Sequence, residues 1–497
     1  MKKTLLTILV MSSALCAQAG GLMTNTNYHI AFDRMFARGA STEIDAAYSN
    51  PAGLVWGYEG FQMSLNFQKP WQKRDIDLTV DNFLANPVAG NPGETLRQTY
   101  DGKASAPIVP ALFASYHKDR WALSAMIGIV GSGGFVKYDD GVPMFGVPVT
   151  ASVYSTLFQN MMQSGLPAAQ ADALARDFYL DSQMKGKQYI YGGQVNFAYK
   201  FLDCLSASAG LRLSYYDGYY RGHVTAIPGQ VLSRAIGSSA PLMNLQLDVT
   251  QRAWGVAPII GLDFHKDKWT VGVRYEFRTK INTKNDTKQL IIGTSGNNID
   301  VKAMAEQNGN AATIAALSQT SLGAMAGKVA GYLPDAETRY DMPSLLSVAV
   351  GYEFTPRLRG AVEYHFYDDK SAKMGGDRQE TLSHGTHEVL AGVEYDINKK
   401  VTVSLGGQHT DYGLTDEYQQ NTSFACDSYS IGGGAAWNVN DKIRLNFSYF
   451  CSLYSDYDKS YTSTQSGGTG YNGTPYSAKE TYSRTNHVIG VGIDYKF

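Results

Sequence analysis

Residues 268–278 read KWTVGVRYEFR and alternate without a break: Trp269, Val271, Val273, Tyr275 and Phe277 fall on one face, Thr270, Gly272, Arg274, Glu276 and Arg278 on the other. A period of two is the signature of a β-strand with one apolar and one polar face. The same alternation returns with Ile443, Leu445, Phe447 and Tyr449 against Lys442, Arg444, Asn446 and Ser448, and with Trp121, Leu123, Ala125, Ile127 and Ile129. Along the chain it marks fourteen segments, at 61–68, 109–117, 120–130, 188–201, 204–216, 254–265, 268–281, 343–354, 357–367, 386–397, 400–409, 427–438, 441–453 and 485–497.

A soluble sandwich also has alternating strands, so length and connection decide. Many of these segments reach the roughly 9 to 11 residues that cross a bilayer at a tilt, against about 5 or 6 for an ordinary strand. Tight turns at 117–120, 202–203, 265–268, 355–357, 397–400 and 439–441 interleave with long, polar, glycine-rich loops, the pattern of short periplasmic turns and long extracellular loops. Trp121, Tyr199, Phe201, Phe264, Trp269, Tyr352, Phe354, Tyr395 and Trp437 gather beside the short turns, as an interfacial girdle requires. The fold class expected is all-β: a 14-stranded antiparallel transmembrane β-barrel with an N-terminal plug and partly helical extracellular loops, in the outer membrane of a Gram-negative bacterium.

Composition excludes other classes. The 497 residues carry 43 Lys+Arg against 45 Asp+Glu, a net charge of -2, so no nucleic-acid partner is implied. Charged residues are 18%, below the roughly 25% of soluble domains, and beyond the first twenty residues no apolar run approaches the roughly 20 needed for a spanning helix. Lys2 and Lys3, the apolar stretch Leu5 to Leu15 and the triplet Ala17-Gln18-Ala19 read as a secretory signal over 1–19. Leu15 before Cys16 speaks against lipidation. A 14-stranded lumen is too wide for side chains alone to fill, and 20–60, apolar without strand periodicity, is the candidate plug (hatch), leaving 61–497 as the barrel. Two long loops, Val149 to Leu180 and Val301 to Leu333, read as partly helical, either ordinary surface helices or a greasy capture surface.

Chemistry is sparse. Nine histidines form no His-x-x-x-His pair and the cysteines no Cys-x-x-Cys, so neither a metal site nor any cofactor is expected. The chain is not expected to be an enzyme; His365 and Glu363 read as lumen polar residues. Parity also places Arg212, Arg274, Glu276, Arg278, Arg359 and Arg444 in the lumen, where their mixed signs imply structural pairing, or one cation meeting a ligand carboxylate. With Trp437 opposite Ile443, Tyr429 faces Cys451 and Cys426 lies about 10 Å too far along. A disulfide there needs the loop to bend.

Arg38-Gly39-Ala40-Ser41, Tyr48-Ser49-Asn50-Pro51-Ala52-Gly53-Leu54, Val109-Pro110, the strand Trp121 to Val130 followed by Gly131-Ser132-Gly133-Gly134, Trp254-Gly255, Met342-Pro343 and the C-terminal aromatic occur in this order. Together they resemble the outer-membrane long-chain fatty-acid and aromatic-hydrocarbon transporters of the FadL type, over nearly the whole mature chain. The resemblance implies a monomer, a hatch built on Asn50, Pro51 and Ala52, a pocket for a hydrophobic small-molecule ligand, and lateral release into outer-membrane lipid. The exit would be a kink in strand three at Gly131, Ser132, Gly133 and Gly134, with Asn50-Pro51-Ala52 beside it inside. Residues that meet a ligand carboxylate would map near Arg221 and Lys373. Helical loop extensions follow strands three and seven here, against five and seven in the fatty-acid prototype. The competing readings are a general porin, which needs an open charged constriction, and a surface receptor or adhesin that works through its long loops.

Overall fold

The computed structural model describes residues 29–106, 108–294, 297–319, 329–465 and 470–497; the expected signal sequence and residues 20–28 lie outside them. Fourteen antiparallel strands form the wall. They are β1 (Gly60–Phe83), β2 (Val109–Lys118), β3 (Trp121–Tyr138), β4 (Phe178–Leu202), β5 (Leu205–Pro228), β6 (Met243–Lys266) and β7 (Trp269–Glu276). Then follow β8 (Leu345–Thr355), β9 (Leu358–Tyr367), β10 (Thr386–Asp396), β11 (Val401–Asp411), β12 (Ser428–Asn438), β13 (Ile443–Tyr454) and β14 (Ser477–Lys496). The sheet closes where β14 pairs with β1, from Gln62 opposite Lys496 to Asp81 opposite Ser477. Closure leaves no free end strand, as a lipid-embedded sheet requires because no water is there to bond one.

Every strand read from the sequence is present, but four are far longer than expected. β1, β5 and β6 have 24 residues and β4 has 25, about 80 Å at roughly 3.3 Å per residue. Their upper halves invert the polarity of the lower ones. On β1, Leu65 and Phe67 face out below, whereas above Ile76, Leu78 and Val80 face in and Asp77 and Asp81 face out. A search for apolar-outside alternation stops at that inversion. β7 is shorter than expected and ends at Glu276. Lower down, Leu123, Ile127, Val195, Phe197, Leu211 and Val491 are exposed on the outer face, an apolar band that only lipid can cover. At the short-turn end Trp269 meets Tyr352 at 4.4 Å and Phe61 meets Phe497 at 4.9 Å.

The register of β12 against β13 differs from the one assumed for Cys426 and Cys451. Trp437 faces Leu445 and Ile431 faces Cys451, two residues from the alignment assumed above. Cys426 is fully buried inside, whereas Cys451 lies on the outward, odd-numbered face of β13. The wall stands between them, and Cys204, Cys426 and Cys451 are all free thiols.

Helices occupy both ends of the lumen. Near the short turns lie α1 (Ile30–Met35), α2 (Ala46–Ser49) and a 3-10 turn over Pro51–Trp56. At the long-loop end are α3 (Pro143–Gln163) and α4 (Ala168–Ala175) after β3, α5 (Gln230–Ile236) after β5, and α6 (Val301–Asn308) and α7 (Asn310–Ser318) after β7. These upper helices turn their apolar faces inward. Val147, Tyr154 and Phe158 of α3, Val301 and Leu317 pack with Ile76, Leu78 and Val80 in one buried cluster.

Candidate functional site: the lumenal segment and the wall of strand three

His29–Gly57 runs through the lower lumen and is almost wholly buried. The wall makes room for it with inward glycines. A Cβ at Gly272 would collide with Gly39 O, at Gly392 or Gly406 with Met35 O, and at Gly432 with Asp33 O. Backbone can therefore lie directly against the sheet on four strands.

Charge fixes the segment in place. Arg34 Nη1 donates to Glu394 Oε1 at 3.0 Å, and Arg359 Nε to the other Glu394 oxygen at 3.0 Å. The backbone N–H groups of Arg38 and Gly39 both donate to Glu363 Oε2 at 2.7 Å. Within the segment Arg38 Nε meets Asp45 Oδ2 at 2.6 Å. Glu43 pairs with Arg444 of the wall and with Arg38. Burial alone would favour a neutral Glu43, but Arg444 and Arg38 outweigh it and hold the carboxyl well below its ordinary range. His365 lies between Glu363 at 2.7 Å and Glu388 at 2.9 Å. The lumen charges inferred from parity thus pair structurally. Arg212 meets Glu276, and Arg274 donates to Tyr48 O at 2.5 Å. Arg278 and Arg359 are partly exposed, and Arg278 reaches Ser371 O.

The motif residues are all buried. Asn50 Nδ2 donates to Leu262 O at 3.1 Å and to Asp263 Oδ2 at 3.2 Å, and Ala52 O accepts from Ser206 Oγ at 2.7 Å. Pro51 opens the 3-10 turn, where its missing N–H costs nothing. Asn50 therefore sits against β6, not beside strand three. The preceding turn is what packs there: Ala46, Ala47 and Tyr48 share a cluster with Ile129 and Val130 of β3.

β3 is irregular at the expected place. Its pairing with β4 slips between Ile129 and Gly131 and again between Ser132 and Gly134. Val130 and Gly133 are the extra residues, and Gly134 has φ +70, a left-handed conformation that suits glycine. On its other edge β3 pairs with β2 only as far as Ile127 opposite Leu112, and pairing resumes with the strand Glu94–Ser105 at Val136 opposite Ala104. Among the described residues no ladder pair joins this edge between those two points. Ala106, buried there, is held by Lys69 Nζ donating to its carbonyl at 2.9 Å, while Ile108 is exposed.

The two cations mapped from the resemblance do not face the lumen. Arg221 lies on the outward face of β5, bonded to Asp248 Oδ1 at 2.9 Å. Lys373, half-exposed in the loop after β9, lies 2.6 Å from Glu380 and 3.3 Å from Asp377. Parity explains the first: inward residues of β5 are even-numbered, from Ser206 to Tyr220. Below the segment, at the short-turn end, a polar cavity of about 670 Å³ is lined by Arg38, Glu43, Lys268, Arg357, Lys399 and Arg444 among others.

No family model and no curated protein sequence matches the chain. Solved structures do. A Pseudomonas aeruginosa FadL homologue superposes with a TM-score of 0.61 at 14% identity, covering 96% of this chain and 100% of the other. The P. putida toluene transporter TodX gives 0.54 at 13% identity, covering 97% and 99%. The Ralstonia pickettii toluene transporter TbuX gives 0.50 at 13%, covering 97% and 100%. The fold is that of these barrels.

Proposed function

We propose that the protein is a monomeric outer-membrane channel for passive uptake of hydrophobic small molecules, fatty acids or aromatic hydrocarbons, which leave sideways into the membrane. Residues 20–60 act as the hatch and 61–497 as the barrel. The observation that carries this reading is the pair of bulges in β3 at Val130 and Gly133, beside an edge whose ladder is interrupted among the described residues, at the foot of an apolar upper lumen. An apolar molecule that passes from the cluster to lipid through such a gap avoids crossing water, which costs roughly 0.8 kcal/mol per CH₂. A toluene transporter is among the proteins that share the fold. A general porin is disfavoured by the buried, ion-paired segment across the lumen.

Deleting Val130 and Gly133 tests the exit. Removing both restores register with β4 without changing which side chains face in. The variant should still assemble, shifting on a denaturing gel when boiled, and should still bind ligand, yet import none. Import at the wild-type rate would refute lateral release.

A further inference from the structure

Arg74 of β1 and Arg484 of β14 stand directly opposite each other across the seam of the barrel. Both face inward and are buried, with 1% and 8% exposure. Nε and Nη2 of Arg74 and Nη1 of Arg484 have no hydrogen-bond partner. Arg34 and Arg359 share Glu394, Arg212 meets Glu276 and Arg444 meets Glu43, while Arg274 is held by the Tyr48 carbonyl. The charged group that acts most on Arg74 is Arg484 itself, and Tyr138, Tyr454, Tyr412 and Cys426 also act on the pair. Arg484 lies 4.6 Å from the Tyr454 ring centre. The closest acid inward along β14, Glu480, is already taken by Asn421 at 2.6 Å, Tyr461 at 2.8 Å and Tyr482. Two like charges opposed on one sheet face, out of water and without a counter-ion, are unfavourable. An anion between them would complete the arrangement.

Their position says what else that anion carries. Below Arg74 the inward residues of β1 are Gln62, Ser64, Asn66 and Gln68; above it they are Ile76, Leu78 and Val80. The pair marks the boundary between a polar and an apolar lumen. It also adjoins the wall opening, since Arg74 pairs with Gly102, three residues before Ser105.

We propose that Arg74 and Arg484 form a binding site for the anionic head of an amphiphile whose apolar tail lies upward in the cluster of Ile76, Leu78, Val80 and Tyr482. The guanidinium forks donate charge-assisted bonds to the head oxygens, the geometry that arginine supplies and lysine does not. This rests on the uptake reading and adds a demand for charge that uptake alone does not make. The test compares hexadecanoate with hexadecan-1-ol, equal in chain length, in equilibrium binding to the purified barrel in non-ionic detergent. Wild type should bind the acid at least tenfold more tightly than the alcohol. Arg74→Met with Arg484→Met should bring the acid to the level of the alcohol and leave alcohol binding within twofold. Equal binding of both probes by wild type would overturn the site while leaving the uptake reading intact. Binding of neither would overturn both. If the double variant does not assemble, Arg74→Lys, which keeps the charge and loses the fork, should reduce the acid preference; an unchanged preference would refute the clamp.

Discussion

Glu394→Ala should unseat the lumenal segment without opening the barrel. The carboxylate is 2% exposed, 3.0 Å from Arg34 and from Arg359 and 3.7 Å from Arg38, and it accepts from Ser404 Oγ at 3.0 Å. Alanine leaves Arg34, whose side chain is fully buried, without its carboxylate, while Arg38 keeps Asp45 and Glu43 and Arg359 keeps Asp396. Breaking a buried pair from one side costs about 3–5 kcal/mol. The strand ladders of β10 with β9 and β11 are backbone bonds and are untouched, so the cost falls on docking of the segment. At about 1.4 kcal/mol per factor of ten, the ratio of unseated to seated segment should rise by roughly 10² to 10³·⁵. Planar-bilayer recording should show large, long openings absent in wild type, and protease added at the short-turn side should cut within 29–57. Glu394→Gln, which keeps hydrogen bonding and loses charge, should fall between the two. Wild-type conductance together with wild-type protease resistance in Glu394→Ala would show that the ion pairs do not hold the segment.

Three further outcomes follow from the same geometry. Gly392→Ala should raise conductance, because its Cβ would meet Met35 O, whereas Gly193→Ala, whose Cβ has nothing within 4 Å, should be silent; equal conductance of the two would refute the fit of segment to wall. In the native protein Cys204, partly exposed at a short turn, should react with a maleimide far faster than Cys426, which is fully buried and whose thiol is pushed up to about 12 by burial; equal rates would contradict its place in the interior. Because Arg444 and Arg38 depress Glu43, their contribution to docking is present above its unfolded value, about 4.3, and is lost as pH falls through the lower folded value. Conductance should therefore rise reversibly when the short-turn side is acidified below about pH 4, and a flat profile down to pH 3 would exclude Glu43 as an anchor.

The lower barrel was legible in the sequence because lipid imposes one rule on it. Trp269, Val271, Val273 and Tyr275 had to face out, and their partners had to be polar or small. The upper barrel follows another rule. There Ile76, Leu78 and Val80 face a filled interior, and the polarity of the two faces inverts while the same parity points inward. Arg74 fell outside the expected first strand for that reason, and its orientation became visible only once β1 was known to run to Phe83. Arg221 was misplaced because a resemblance carries a residue's neighbourhood but not its face. The polar-face glycines Gly272, Gly392, Gly406 and Gly432 were in view from the start. Gly392, Gly406 and Gly432 lie opposite one another on three successive strands, a signal for an inserted backbone, hidden because each alone reads as a small lumen residue.

On the uptake proposal, polarity along the lumen sets the route of the ligand, while the direction of net flux follows its concentration gradient. A ligand entering from the long loops meets Val147, Tyr154, Phe158 and Ile76, all apolar. Descending past the level of Arg74 means exchanging these for Gln68 and Asn66, then for the ion-paired segment around Glu394, and at last for the charged cavity beside Arg357 and Lys399. Each step puts apolar surface against groups that are already paired with one another. An anionic head gains at the boundary, yet the tail gains nothing below it. On this proposal the descent stops where β3 loses its neighbour between Ile127 and Val136, and the route of lowest cost turns outward into lipid, where the tail stays in hydrocarbon throughout.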